Sequence, residues 1–262
     1  MLPDFEIVSH EFKTRKPVTI FPIADLHLGA AEQMEEAFMA FINMVSKTPN
    51  AYLIIDGDML DNGVKNSVTN VYRQRYMPSE AKRLLAKMLE PVRDRILVGT
   101  GGNHEFRSAR EVDDSPLYDV FAKLDIENRY RENMAFLRLG IGNKDGKGTA
   151  NPTYCIVVTH GSGGGVLTGG AVNKAERFGY VLDGGDILVV GHTHKQFDTT
   201  PGKIKIDLQN NKVSVKPFKV VSVSSWLSYG GYAARMMLPP NTHVETKIVL
   251  GATSKWIEVT NK

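Results

Sequence analysis

The sequence predicts a layered α/β fold, on three observations. Short apolar runs alternate with helix-spaced patterns over the first two-thirds of the chain. That alternation is the mark of strands joined by crossover helices. Most of the runs end at an Asp, Asn or His, and 42% apolar residues in 262 suffice for a sizeable core.

The elements follow in order. Residues 18–24, Val-Thr-Ile-Phe-Pro-Ile-Ala, read as a buried strand ending at Asp25. Residues 35–45 place Ala37, Phe38, Phe41, Ile42 and Val45 at helical spacing. Residues 52–55 form a second strand ending at Asp56. Residues 79–89 are helical, with Ser79 as cap and Leu84, Leu85, Met88 and Leu89 on one face. After Pro91 comes a third strand, 95–98, then a helix at 116–124. Strands at 155–159 and 187–190 lead to His160 and Gly191. Beyond that the chain turns β-rich, with short segments at 204–208, 212–215, 218–223 and within 244–259. Gly140 to Gly148 reads as a polar turn or flexible hairpin. No linker divides the chain, which reads as one domain over 1–262.

The bulk properties narrow the class. A formal charge of +3 demands neither nucleic acid nor a membrane surface as partner. The single cysteine, Cys155, rules out a disulfide within the chain and a thiolate zinc site, and its apolar run makes it a buried structural thiol. There is no basic segment followed by an apolar stretch at the start, and no run approaches the roughly 20 residues that span a bilayer. A reducing, cytoplasmic location without membrane contact is expected. Oligomeric state is not readable.

Five of the seven histidines sit in short motifs: Asp25-Leu26-His27, Gly57-Asp58-Met59-Leu60-Asp61, Gly102-Asn103-His104-Glu105, Thr159-His160-Gly161 and Gly191-His192-Thr193-His194. A divalent ion takes fixed oxygen and nitrogen donors. Two such ions about 3.5–4 Å apart clamp the attacking and leaving oxygens of a phosphoryl displacement. On a strand end, Asp25 and His27, two apart, point to the same side, and so do His192 and His194. Gly57 lets the backbone turn Asp58 inward. Asn103 supplies a neutral oxygen and His160 an imidazole. His104 is read apart from the donors, as a group that stabilises phosphate charge and protonates the leaving oxygen. Asp61 and Glu105 are read as acceptors that fix imidazole tautomers. Any one motif alone is more often turn or surface chemistry; the five in one order carry the reading. His10 and His243 fit no motif and take solvated or packed roles.

This series resembles the calcineurin-like metallophosphoesterase superfamily over residues 21–194. The resemblance implies a four-layer αββα sandwich of two mixed β-sheets flanked by helices, with the site at strand ends. Carried over by position, Asp25, His27, Asp58 and His194 hold one ion. Asp58 bridges to a second, held also by Asn103, His160 and His192, and His104 is catalytic. Manganese is the first expectation for the two divalent ions, with Fe, Zn, Ni or Mg as alternatives. The first two motifs are most similar to the branch of repair nucleases and other phosphodiesterases. The phosphatase branch carries an Arg after its second motif; here Asn62 and Gly63 follow Asp61.

The expected activity is a binuclear phosphodiesterase or nuclease that cleaves nucleic-acid phosphodiesters with a metal-activated hydroxide. A phosphomonoesterase or small-nucleotide phosphatase is the alternative, and a catalytically silent, metal-stabilised scaffold is the alternative of another class. Loops between motifs supply substrate contacts. Tyr72 and Arg73, with Lys65, Arg75 and Tyr76, suit phosphates and bases or else a solvated face with packed tyrosines, and Arg107 and Arg110 follow His104 closely. Gly161 to Gly165 suits a phosphate approaching backbone, or a mobile loop. Trp226, Tyr229 and Tyr232 around paired glycines suit an aromatic wall, with Trp226 itself more at home in the core.

Overall fold

A computed structural model describes residues 3–65, 67, 71–143, 151–163 and 166–262, with the side chains of 3 and 232 left aside. The strands are β1 (Ile7–Phe12), β2 (Val18–Ile23), β3 (Ala51–Asp56), β4 (Ile96–Thr100), β5 (Tyr130–Arg131), β6 (Ala135–Ile141), β7 (Thr153–Thr159), β8 (Ile187–Val190), β9 (Phe197–Thr199), β10 (Gly202–Asp207), β11 (Lys212–Pro217), β12 (Lys219–Ser222), β13 (Thr246–Leu250) and β14 (Ile257–Asn261). The helices are α1 (Glu35–Lys47), α2 (Pro78–Leu89), α3 (Glu105–Val112), α4 (Pro116–Lys123), α5 (Thr168–Val181) and α6 (Gly231–Arg235). One six-stranded sheet runs β14-β13-β2-β3-β4-β5 and the other β1-β6-β7-β8-β12-β9; β10 and β11 form a separate hairpin. Both large sheets mix parallel and antiparallel pairs.

Three apolar layers hold four structural ones. Leu53 and Ile55 of β3 face α1, α2 and α4, while Ile54 faces the other sheet. In β7, Tyr154, Ile156 and Val158 face inward between the sheets, and Cys155 and Val157 face α5. Strands buried on both faces read as unbroken apolar runs, which is why these were visible in the sequence. The αββα sandwich expected from the family resemblance is the fold observed.

Some elements depart from expectation. The helix at α2 begins at Pro78, one residue before Ser79, and no side chain caps it. Pro at the first helical turn needs no N–H partner, so it replaces the expected cap. Residues 90–95 form a 3₁₀ turn ahead of β4. The segment 140–148 lies mostly outside the described residues. Cys155 is half-buried, and burial pushes its thiol up, as for a structural cysteine. Trp226 is buried against Phe38, Phe41 and His243. His10 bonds to the Leu97 carbonyl at 2.9 Å. Among the described residues, no helix is long and apolar enough to cross a membrane.

Candidate metal centre

All five motifs leave the C-terminal ends of central strands: β2, β3, β4, β7 and β8. The loop after β2 is laced to the loop after β3 by backbone bonds from Asp25 N to Gly57 O (3.1 Å), His27 N to Asp58 O (2.9 Å) and Leu28 N to Met59 O (3.0 Å). A Cβ on Gly57 would stand 2.6 Å from the Gly102 nitrogen, and one on Gly102 would strike Asp58. The glycines of the second and third motifs are therefore what lets those loops touch.

The shared orientation of Asp25 and His27 does not come from strand alternation. β2 ends at Ile23, and both residues sit in the left-handed region, φ 54° and 49°. Asp58 (48°), His192 (65°) and His194 (57°) do the same. Asp and His are among the residues that tolerate this region. Each such position still costs of order 1–3 kcal/mol, and it persists only where the surroundings enforce it.

The side chains converge. Asp25, His27, Asp58 and His160 are buried; His104, His192 and His194 are half-buried, and Asn103 is exposed. Three donor groups gather within 4.8 Å: Asp25 with His27 and His194, Asp58 with His160 and His192, and His27 with Asp58 and His104. The Nε2 atoms of His27 and His194 are 3.2 Å apart, and Asp25 Oδ1 lies 3.2 Å from the latter and 3.7 Å from the former. His160 Nε2 comes within 3.1 Å of Asp58 Oδ2 and 3.8 Å of Asp25 Oδ1. Asn103 Oδ1 is 2.6 Å from His192 Nδ1. Asp25 Oδ1 and His160 Nε2 are buried with no aligned hydrogen-bond partner. The separations of 3.2–3.7 Å among Asp25, His27 and His194 are the edges of a sphere with donors roughly 2.0–2.2 Å from a shared ion. Orphaned polar atoms and converging lone pairs therefore fit divalent cations.

Hydrogen bonds fix the orientation of the imidazoles. His160 Nδ1–H donates to the Asp56 carbonyl at 2.5 Å, which leaves Nε2 facing the carboxylates. Asp61 Oδ1 stands 3.6 Å from His27 Nδ1 and 3.2 Å from His104 Nδ1. Its backbone carbonyl accepts from His104 Nδ1 at 2.9 Å. Asp61 thus sits where an orienting acceptor was expected. Glu105 does something else. Its Oε2 accepts the backbone N–H of Asp58 and of Gly102, both at 2.9 Å, and Oε1 accepts that of Leu60 at 3.0 Å. It braces backbone and touches no imidazole, because α3 starts at Glu105 and turns its carboxylate under the loop.

The charges follow. Burial opposes the proton on His27, yet Asp25, Asp61 and Asp58 outweigh it and push the imidazole up to about 10. Burial is likewise overcome at His160, where Asp58 and Asp25 hold it well above the usual imidazole range. His104 is pushed the other way, by burial and by neighbouring His27, against the pull of Asp61. Burial pushes Asp56 up to about 8 and, helped by Asp58, Glu105 up to about 7.

Arg107 Nη2 donates to His104 Nε2 at 2.8 Å, and Nη1 to the Asp61 carbonyl at 3.1 Å. Tyr72 and Arg73 are not brought in: both lie on an exposed turn and line neither cleft described below. Arg75 staples the Ala31 and Gln33 carbonyls, and Tyr76 bonds Glu35. Asn62 was missed as a functional residue. Its amide donates to the His104 carbonyl and to Ser108 Oγ, each at 2.8 Å. The only trace of this in the sequence is its place after Asp61, where the phosphatase branch has Arg.

Two clefts border the cluster. One, about 390 Å³, is walled by His192, His194, Lys195 and Tyr229; the other, about 790 Å³, by Asn103, His160 and the facing sides of α3 and α5. They meet at Gly163 and Thr193. Tyr229 thus borders the site, while Trp226 is core.

The fold and these donor groups define a metal-dependent phosphoesterase. The family model for calcineurin-like phosphoesterases matches residues 18–196, more than half of the chain, and the chain belongs to that family. No curated protein matches it in sequence. Among solved structures it is similar to a conserved uncharacterized protein (predicted phosphoesterase) from Streptococcus pneumoniae TIGR4, at 10% identity and TM-score 0.35, covering 95% of this chain and 100% of that one. It is also similar to a metallophosphoesterase from Sphaerobacter thermophilus, at 11% identity and TM-score 0.45, covering 94% and 88%.

Proposed function

We propose that the protein is a binuclear phosphodiesterase acting on nucleotide-type diesters. The observation that carries this is the pair of clefts that border the donor cluster, one at His192 and His194 and the other at Asn103 and His160, and that share Gly163 and Thr193. A phosphodiester has two organic arms and a monoester has one. Both cleft volumes lie within the roughly 300–1,000 Å³ usual for small-molecule sites. Asn62 in place of the phosphatase Arg points the same way.

Asp25, His27, Asp58 and His194 would hold one ion, and Asp58, Asn103, His160 and His192 the other, with manganese the first choice. When bound, such ions polarise the phosphoryl oxygens and lower the pKa of a coordinated water. The chain's own groups do the rest. Asp61 holds His104 by Nδ1, so Nε2 is the nitrogen that faces substrate and Arg107. Accepting from Arg107, Nε2 carries no proton; a phosphoryl oxygen drawing the guanidinium to itself frees Nε2 to take a proton from solvent and pass it to the leaving oxygen. Asp61 and Arg107 thereby position the acid on both sides.

The test is hydrolysis of bis-p-nitrophenyl phosphate against p-nitrophenyl phosphate with Mn, Mg, Zn, Ni and Fe. Single-stranded DNA, duplex DNA, RNA and cyclic nucleotides follow as natural candidates. Diester turnover should lead, and His104→Ala and Asp58→Asn should abolish it. Monoester preference in the wild type, or diester turnover surviving both substitutions, refutes the reading.

A further inference from the structure

The larger cleft is built in a way the metal chemistry does not require. Its floor on α5 carries Ala171 and Ala175, both buried, where larger side chains would close the space. Around that hollow stand three aromatics from three elements, Phe106 on α3, Phe178 on α5 and Phe197 on β9, with Met134 beside them. Phe106 and Phe178 are only partly covered. The polar groups lie at the rim, and their charges balance: Arg110 and Lys174 against Asp113 and Glu132. Lys174 is moreover tied to the Ser162 carbonyl and hydroxyl. Asn103 and His160 also line the hollow, so it adjoins the donor cluster.

We propose that this cleft between α3 and α5 is a subsite for an uncharged, planar aromatic arm of the diester, a nucleobase or aryl group. The inference rests on the phosphodiesterase reading and adds what one ester arm must be. Aromatic walls and a thioether bind flat π-systems without reading their hydrogen-bonding edge. A balanced rim offers a further phosphate no net attraction, so the arm ends in the cleft. A polynucleotide strand running on through it is disfavoured.

Two variants test this in opposite senses. Ala109→Trp, from the α3 side, fills the hollow; Phe178→Ala removes a wall. Both are read by KM for bis-p-nitrophenyl phosphate, which presents an aryl arm in either orientation, and by the Ki of inorganic phosphate, which has no arm. Each variant should raise KM roughly tenfold, the scale of one aromatic contact, with kcat and the phosphate Ki unchanged. Unchanged KM in both variants overturns the subsite while leaving the phosphodiesterase reading intact. A phosphate Ki that rises in step with KM also overturns it, because the centre rather than the arm was disturbed. A wild-type protein inert toward the diester but active on the monoester overturns the phosphodiesterase reading, and the subsite with it.

Discussion

Glu105→Gln separates two roles for one carboxylate. If Glu105 oriented a single imidazole, a glutamine oxygen would still accept that N–H and metal affinity would hold. The structure instead gives it three backbone donors from two directions. A glutamine oxygen in the place of Oε2 keeps Asp58 N and Gly102 N, but its NH2 then faces Leu60 N–H, donor against donor. The flipped amide loses two bonds instead of one. A buried donor left unpaired costs about 1–3 kcal/mol. Glutamine also removes a carboxylate whose ionised form is disfavoured by burial and by Asp58, so overall stability changes little. The loss falls on the loop that presents Asp58. If all of it opposes the metal-binding conformation, affinity drops roughly 5–150-fold. Titration calorimetry with Mn2+ at fixed pH measures this, with thermal unfolding as the check on folding. Wild-type affinity in a folded Glu105→Gln protein would refute the bracing role.

Three further outcomes are expected. Metal affinity rises with pH: His27, held up to about 10, and His160 are protonated in the metal-free site and must shed those protons to become donors. Each displaced proton adds about tenfold per pH unit below the imidazole's own pKa, which titration at pH 6, 7 and 8 reads along with proton release; a flat profile contradicts it. Asn62→Ala removes the hydrogen bonds to the His104 carbonyl and to Ser108 on α3 and should lower kcat with KM nearly unchanged, seen in steady-state kinetics on the diester. Trp226→Ala empties the space between Phe38, Phe41 and His243, costing about 3–5 kcal/mol. At about 2–4 °C per kcal/mol for a chain of this size class, calorimetry should show Tm falling by about 6–20 °C.

What the sequence made legible follows burial. β2, β3, β4, β7 and β8 lie inside the sandwich with both faces covered, so each is a continuous apolar run with its motif at the end. β1 has an exposed Ile7 and a charged Glu11 amid partial burial, and its partner β6 lies far along the chain. Nothing local marks it. α3 buries only Glu105 and Ser108, so no apolar stripe announces a helix. α5 opens on Thr168-Gly169-Gly170 and buries alanines and Gly179, a composition that propensity argues against. Those two helices wall the larger cleft. The cleft proposed as the substrate subsite was therefore the part hardest to read, because a helix lining a hollow has exchanged its apolar packing stripe for space.

Strand alternation does not account for the convergence of the donors. Alternation along a strand would have put Asp25 and His27, or His192 and His194, on one side at no conformational cost. The backbone instead turns left-handed at five of the seven expected metal donors, all past their strand ends. Strain on that scale needs a counterforce, and the neighbouring bonds supply it: Asp25 N to Gly57, His27 N to Asp58, His192 N to Asp25 Oδ2 at 3.0 Å, and Trp226 N to the Asp25 carbonyl at 3.0 Å. The backbones of Asp25, His27, Asp58 and His192 are each fastened by another motif or by the core. The motifs are consequently one cooperative unit, in which replacing a ligand side chain removes a donor while replacing a brace such as Glu105 releases the backbone of several. Metal affinity should therefore prove as sensitive to residues that never touch an ion as to some that do.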